Sequence, residues 1–441
     1  MSDAFFIDAT TAASTSSTTT ITPPAISAVW SFDGVTNDLY NVYNGSILNG
    51  ATYSNPAPQT FPYFGSGQAL LLNGSNQSFT VSSPFLPLNS TSFTIEAWIF
   101  PSLLTSDRGI FGQCQCSTCA NQCLYFICRG GRLYIDFTLN DLFGSTVLAT
   151  STWYHVAFVY NYQTQQQILY VNGVQDGVKS HAAPYQGMNA SIQIGATQAF
   201  GTTNFFNGFI DNVWVTTRAK SSDEILRDAS LIVYYSFDLP NPNADSGPNK
   251  ILGNSTNTII LTGRVNQAVR FIGASSYFHI YGLYQVPTGV FNNRPFSVSL
   301  WINPAAAASC TFVQLVSISP PRCANLLGMF SNVITTAQII VQSTGNQALL
   351  TGPFLTQNVW TDISVTYGSV SGYTLYFNGV YFGATGSMIY TSSGTLASLY
   401  IGYYASCAGL TQNSPCQGSV DEFYVHNREL TQADVTTLSN P

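Results

Sequence analysis

Short apolar runs interleaved with polar residues recur along this chain, and a period of two predicts β-strands. Phe93 to Ile99 sets Phe, Ile, Ala and Ile against Thr, Glu and Trp, the spacing of a half-buried strand. Asn172-Gly173 and Asn378-Gly379 each lie between two apolar runs and predict tight hairpin turns, because Asn and Gly tolerate the positive φ that such turns require. Helical signals are confined to two places. Ser221-Ser222-Asp223-Glu224 has the spacing of a capping box and Thr431-Gln432-Ala433-Asp434 its weaker Asp form, so each predicts one short helical turn. No apolar stretch approaches the roughly 18 residues of a membrane-spanning helix before Ser, Thr, Asn or Gln interrupts it.

The second half of the chain repeats the first at an offset of roughly 205 residues. Trp30-Ser31-Phe32-Asp33 answers Tyr235-Ser236-Phe237-Asp238, and Gln68-Ala69-Leu70 answers Gln267-Ala268-Val269. Phe93 to Pro101 matches Phe296 to Pro304, Trp153 matches Trp360, and Leu169 to Val174 matches Leu375 to Val380. Ile194-Gly195 pairs with Ile401-Gly402, and Gly208 to Val213 with Gly418 to Phe423. Many short strands and a terminal helical turn in each copy predict an all-β chain of two tandem antiparallel β-sandwich jelly rolls. The boundaries read as an N-terminal strand-like peptide and Ser/Thr-rich stalk over 1–24, then domains over 25–230 and 231–441. Only about three residues separate the first helical turn from the strand at Leu231, too short a connection to swing freely, so a rigid tandem is expected.

The joint order of these blocks resembles the laminin-G-like, concanavalin-A-like jelly roll, over about residues 28 to 228 and 233 to 438. The second copy has Thr361-Asp362-Ile363 where the first has Tyr154-His155-Val156, so any role of His155 is not general to both. The resemblance implies a calcium ion near the rim, held by Asp33 and Asp211 in copy one and by Asp238 and Asp421 in copy two. Calcium takes six to eight oxygens, so backbone carbonyls and water would have to complete the shell. The alternative is that these aspartates cap turns by accepting backbone amides. Asp245-Ser246-Gly247 resembles the family's acidic turn, whereas Asn41 to Gly45 in copy one departs from it.

Charge is scarce: 13 Lys and Arg with 20 Asp and Glu give a net charge of −7, and charged residues are 7% of the chain. This excludes a basic nucleic-acid-binding surface. A polar surface made from 48 Ser, 45 Thr and 33 Asn, with nine Cys in local clusters, points to an oxidising, extracellular or cell-surface setting. Met1 to Asp8 lacks the pattern of a secretory signal, so a leader outside this sequence is expected. Cys114, Cys116, Cys119, Cys123 and Cys128 read either as a thiolate metal cluster or as a disulfide-stapled hairpin between Leu124–Ile127 and Arg132–Phe137. Matching cysteines in copy two favour disulfides, with Cys310–Cys323 and Cys407–Cys416 as the local pairs and one thiol left over for an intermolecular bond.

Catalytic signals are missing. The four glutamates, Glu96, Glu224, Glu422 and Glu429, form no strand motif of acid and nucleophile, and Glu422 should face away from Asp421 because strand neighbours alternate. No nucleophile elbow, phosphate loop or zinc motif is present, so the chain reads as no enzyme. Tyr403, Tyr404, Phe205 and Phe206 are candidates for stacking on glycans, against the alternative of core packing. Sequons at Asn44, Asn73, Asn76, Asn89, Asn189 and Asn254 permit N-glycans, in about the number that chance supplies at this Asn, Ser and Thr content. Phe5, Phe6 and Ile7 sit in an apolar peptide on a Ser/Thr tether that can add as a strand to another subunit, the alternative being a plain flexible tether. The expected function is extracellular, structural or adhesive, through self-assembly into a fibre, or else calcium-dependent binding of glycans and glycoproteins.

Overall fold

A computed structural model describes residues 26–54, 67–283, 286–287, 289–306, 308–318, 321–333, 336–342, 348–402 and 414–441. Phe5, Phe6, Ile7, Tyr403, Tyr404 and Cys407 lie outside these residues. Each half folds as two antiparallel sheets facing one another. In the first, the strand Phe93–Pro101 lies between Tyr154–Asn161 and Asn207–Thr216, and Ser27–Trp30 pairs with Asn207–Thr216. The second repeats this with Phe296–Pro304 between Thr361–Gly368 and Gly418–His426, and with Leu231–Tyr235 on Gly418–His426. Asn172 (φ 51°) and Asn378 (φ 49°), each followed by a glycine of positive φ, form the expected hairpin turns.

Two separate cores result. In copy one Phe93, Ile95, Ala97 and Ile99 point inward, where Phe93 meets Phe137, Phe158, Tyr160 and Tyr185 at centroid distances of 5.7–6.5 Å. The expected half-buried character of this strand is not found, because Glu96 and Trp98 on its other face are buried as well. That face is closed by chain that continues into the helix Ser222–Ser230, whose Ile225 packs on Ala157, Val159 and Tyr170. Both helices, Ser222–Ser230 and Gln432–Leu438, start with reciprocal capping boxes, Ser221 with Glu224 and Thr431 with Asp434. The first helix runs straight into Leu231–Tyr235 with no intervening residue. Its last turn is bonded to the second jelly roll: Asn427 N donates to Ser230 O (2.8 Å) and Arg428 Nε to Ser230 Oγ (3.2 Å).

The disulfides are Cys114–Cys123, Cys116–Cys119 and Cys310–Cys416, and Cys323 is disulfide-bonded too. Neither expected local pair, Cys310–Cys323 or Cys407–Cys416, forms, because Cys310 and Cys416 are bonded to each other. Cys310 lies opposite Met329 and Cys323 opposite Val316, six strand positions away, or roughly 20 Å along the ladder. Cys310 instead reaches Cys416 beside the bridge between Thr311 and Pro415. Cys128 is unpaired, and it is buried in the first core, so it is no free thiol for a bond between molecules. Iodoacetamide is expected to leave Cys128 unmodified in the native chain and to label it after denaturation without reductant. Peptide mapping that found Cys128 labelled in the native state would contradict its burial.

Candidate functional site

The rim aspartates are held by their own chain. Asp33 Oδ1 accepts from Gln68 N (2.9 Å), and Asp238 Oδ1 accepts from Gln267 N (3.0 Å) at the matching place. Asp421 Oδ2 accepts from Arg264 N (2.7 Å) and Val265 N (2.9 Å), and its Oδ1 from Glu422 N (2.9 Å). Amide hydrogens on both oxygens of Asp421 occupy positions a cation would take, whereas Asp33, Asp211 and Asp238 each accept one backbone amide, on Oδ1. In copy one Asp33 and Asp211 lie close together. Burial first, and then the charge of Asp33, push the Asp211 carboxyl well above the usual carboxylate range. No group of three His, Cys, Asp or Glu suited to a metal occurs among the described residues.

A bulge interrupts each of the strands that carry these aspartates, shifting register between Asp211 and Trp214 and between Ser299 and Trp301 on the partner of Asp421. Asn212 (φ 45°) and Glu422 (φ 48°) take the left-handed conformation there. Simple alternation therefore fails at Glu422. Burial first, and then the charge of Glu422, raise the Asp421 carboxyl, and Glu422 is itself bound by the Tyr234 and Tyr424 hydroxyls (3.0 and 2.5 Å). In copy two, Asp245 caps Tyr234 N, Gly247 N and Ile251 N, as the acidic turn implied. Copy one has the same device, moved upstream of the segment Asn41 to Gly45: Asp38 accepts from Val42 N (2.6 Å), Tyr43 N (2.7 Å) and Tyr40 N (3.2 Å).

On the outer face of the first sheet lies a buried charge cluster. The Lys220 ammonium bonds to Glu96 and to Asp228 (2.8 Å), His155 Nε2 is 3.5 Å from Glu96 Oε1, and Lys220 Nζ lies 4.7 Å from the centre of the Trp214 ring. Lys220 and His155 hold the Glu96 carboxyl below its ordinary range against the opposing effect of burial. Copy two has Ser299, Asp362 and Leu430 at the matching places, and Leu430 packs with Tyr376 and Val435. Both terminal helices pack through an apolar side chain, Ile225 or Val435, and the first is in addition tied to its sheet by the buried ions.

Beyond Trp214 a cleft of about 440 Å³ opens between the two jelly rolls. Val29, Asn212 and Trp214 come from the first sheet, Val35 and Leu39 from the loop after its first strand, and Lys250 from the second jelly roll. Val29 and Trp214 are a cross-strand pair. The equivalent pair in copy two, Tyr234 and Tyr424, stacks at 4.3 Å with rings 4° from parallel and closes over Glu422. Val29 is too small to cover Trp214 in this way. None of the cleft residues was a sequence candidate, although Val29 stands against Tyr234 and Trp214 against Tyr424 once the repeats are aligned.

Other candidates are placed apart from the cleft. Phe206 is fully buried in the first core, where no glycan can stack on it, while Phe205 is half-buried. Asn44, Asn73, Asn76, Asn189 and Asn254 are exposed and Asn89 is half-buried.

A family profile described as the concanavalin A-like lectin/glucanases superfamily, of laminin G type, matches residues 73–226 and 279–436. The chain belongs to this family. Among solved structures, domain 4 of an extracellular arabinanase from Geobacillus stearothermophilus, in complex with arabinotriose, is similar at 21% identity and a TM-score of 0.37, covering 48% of this chain and 98% of that one. Domains LG4-5 of the mouse laminin alpha1 chain are similar at 11% identity and a TM-score of 0.29, covering 85% and 94%. The family assignment rests on the two profile matches and not on these likenesses. A comparison with curated proteins found no match.

Burial pushes the Asp362 carboxyl up to about 7, so the folded chain keeps this proton to higher pH than the unfolded chain does. Its contribution to stability is full below about pH 4 and is lost as pH rises through 7. Asp362→Asn is therefore expected to raise the melting temperature relative to the parent chain more at pH 8 than at pH 4. An equal effect at both pH values, read by calorimetry, would count against a buried, raised carboxyl.

Proposed function

We propose that this protein is a non-catalytic, extracellular adhesive module that holds a saccharide ligand in the cleft between its jelly rolls. The observation that carries this reading is the internal contrast: one cross-strand position is closed by Tyr234 and Tyr424 in copy two and left open over Trp214 in copy one. Clefts at domain boundaries with an aromatic floor and a few polar groups are the usual form of small-ligand sites. The rim carboxylates Asp33, Asp211, Asp238 and Asp421 accept hydrogen bonds from the chain itself, which supports binding rather than hydrolysis. On a printed glycan array the parent chain should bind a subset of glycans, and Val29→Tyr, which copies the closed arrangement, should lose them. Retention of every signal by Val29→Tyr would remove the cleft from the account. A signal lost on adding EDTA would favour a calcium-dependent lectin, with Asp33 and Asp211 as the residues to hold the ion.

A second reading, self-assembly into a fibre, is favoured by the edge strand Thr258–Thr262. This strand pairs on one side with Gln267–Phe271, carries no charge, and exposes Ile259 (43%) and Leu261 (42%). Uncharged apolar edges accept further strands. Phe5, Phe6 and Ile7 of a second copy would supply one. Negative-stain microscopy of the full chain and of a chain lacking residues 1 to 9 should then show filaments only in the former, whereas two-lobed particles in both would leave the adhesive reading alone.

A further inference from the structure

One leftover cysteine was expected to serve a bond between molecules, and it is the buried Cys128. A different pair of sulfurs lies nearer the surface. Cys116-Ser117-Thr118-Cys119 is the tip of the hairpin that joins Arg108–Cys114 to Cys123–Arg129, and its two cysteines are bonded to each other across a separation of three residues. Both are half-buried, and Gln115, Thr118 and Ala120 beside them are exposed. No charged residue occurs from Gln113 to Leu124, so the segment itself does not repel an incoming thiolate.

The tip is framed without this bond. Cys114 and Cys123 stand opposite one another in the ladder and carry a disulfide of their own, and Gln115 N donates to Gln122 O (3.0 Å) just beyond it. Asn121 is held on both sides, its N donating to Thr138 O (3.0 Å) and its O accepting from Gln186 N (2.7 Å), while Gln115 Oε1 accepts from Met188 N. A bond between residues three apart, inside a loop already closed, removes little freedom from the unfolded chain, whereas Cys310–Cys416 spans 106 residues. Folding strengthens each disulfide by as much as that disulfide strengthens the fold, so of these bonds Cys116–Cys119 is the one that folding protects least. Access points the same way. Cys123, Cys310 and Cys416 are buried, and exchange requires that a thiolate reach the sulfur.

The two sulfurs of the tip are not equivalent. Cys116 Sγ lies 3.8 Å from the Thr118 hydroxyl and, being disulfide-bonded, carries no hydrogen, so the hydroxyl is the donor. A donated hydrogen bond favours the thiolate that departs, which makes Cys116 the better leaving group. We propose that Cys116–Cys119 is a site of thiol–disulfide exchange with small thiols of the glutathione class, the attack falling on Cys119. The incoming thiolate forms a bond to Cys119 Sγ, the Cys116–Cys119 bond breaks, and its electron pair leaves on Cys116 Sγ. Attack of Cys116 back on Cys119 expels the small thiol and restores the starting bond. Attack of a second small thiolate on the sulfur of the first instead releases their disulfide and leaves Cys116 and Cys119 reduced. The exchange supplies a reversible covalent attachment point and leaves the hairpin ladder intact.

The test is incubation of the native full chain with glutathione at pH 8, trapping with N-ethylmaleimide and peptide mapping without further reduction. Cys116 and Cys119 are expected to open at least about tenfold faster than Cys114–Cys123 and Cys310–Cys416, with the trapped glutathione adduct on Cys119 and maleimide on Cys116. Thr118→Val should slow the opening and spread the adduct over both cysteines. The double variant Cys116→Ser, Cys119→Ser should melt within a few degrees of the parent chain and form no adduct. Opening of all three bonds together, or no label on Cys116 and Cys119, overturns the site. An adduct on Cys116 overturns the assignment of the attacked sulfur, and a large fall in the melting temperature of the double variant overturns the independence of the frame.

Discussion

The buried ammonium of Lys220 ties the terminal helix of the first jelly roll to the central strand of its sheet. It joins Glu96, on the central strand, to Asp228, on the terminal helix, and covers one side of Trp214. Removing one partner of such a pair leaves a buried charge without compensation, at a cost of about 3–5 kcal/mol, while replacing the whole set by apolar residues is often neutral or better. Copy two displays the second solution, with Leu430 in place of Lys220 and Ser299 in place of Glu96. The ionic version therefore is not needed for the fold. Its consequence is local: the helix is tied to the sheet at the place where Trp214 borders the cleft.

The two copies share a backbone device and diverge in what they build on it. In both, a left-handed residue in the last long strand makes a bulge beside a buried aspartate, and in both an acidic residue, Asp38 or Asp245, gathers three amides of the turn after the first strand. Bulges re-aim side chains at sheet edges and sites. In copy two the re-aimed residue, Glu422, is bound by two tyrosines. Copy one has Asn212 at the same position and Val29 in place of the covering tyrosine, and the space so left faces Lys250. At this position the packed copy and the open copy differ by one covering aromatic ring.

The repeat, the strand content, the hairpins at Asn172 and Asn378 and both capping boxes were legible in the sequence. Each is a local rule read over a few residues, or a pattern confirmed by appearing twice. Legibility ended where distant segments meet. Cys310 and Cys323 are close in sequence, yet the hairpin between them places them at opposite ends of a ladder, and Cys310 bonds 106 residues away. Phe206 reads as a rim aromatic and is core. Glu96 stands alone on its strand in the sequence, and its partner Lys220, itself bonded to Asp228, lies 124 residues further along the chain.

What the sequence by itself determined is the kind of molecule: two jelly rolls, sparsely charged, lacking any catalytic motif. Periodicity, turn chemistry and composition act over short distances, and they suffice for that. Tertiary structure alone decided which donors and acceptors remain free. Whether Asp38 is a binding group or a turn cap, and whether Lys250 is paired, depends on the bonds that folding has already used, and those bonds join residues with no local relation in the chain.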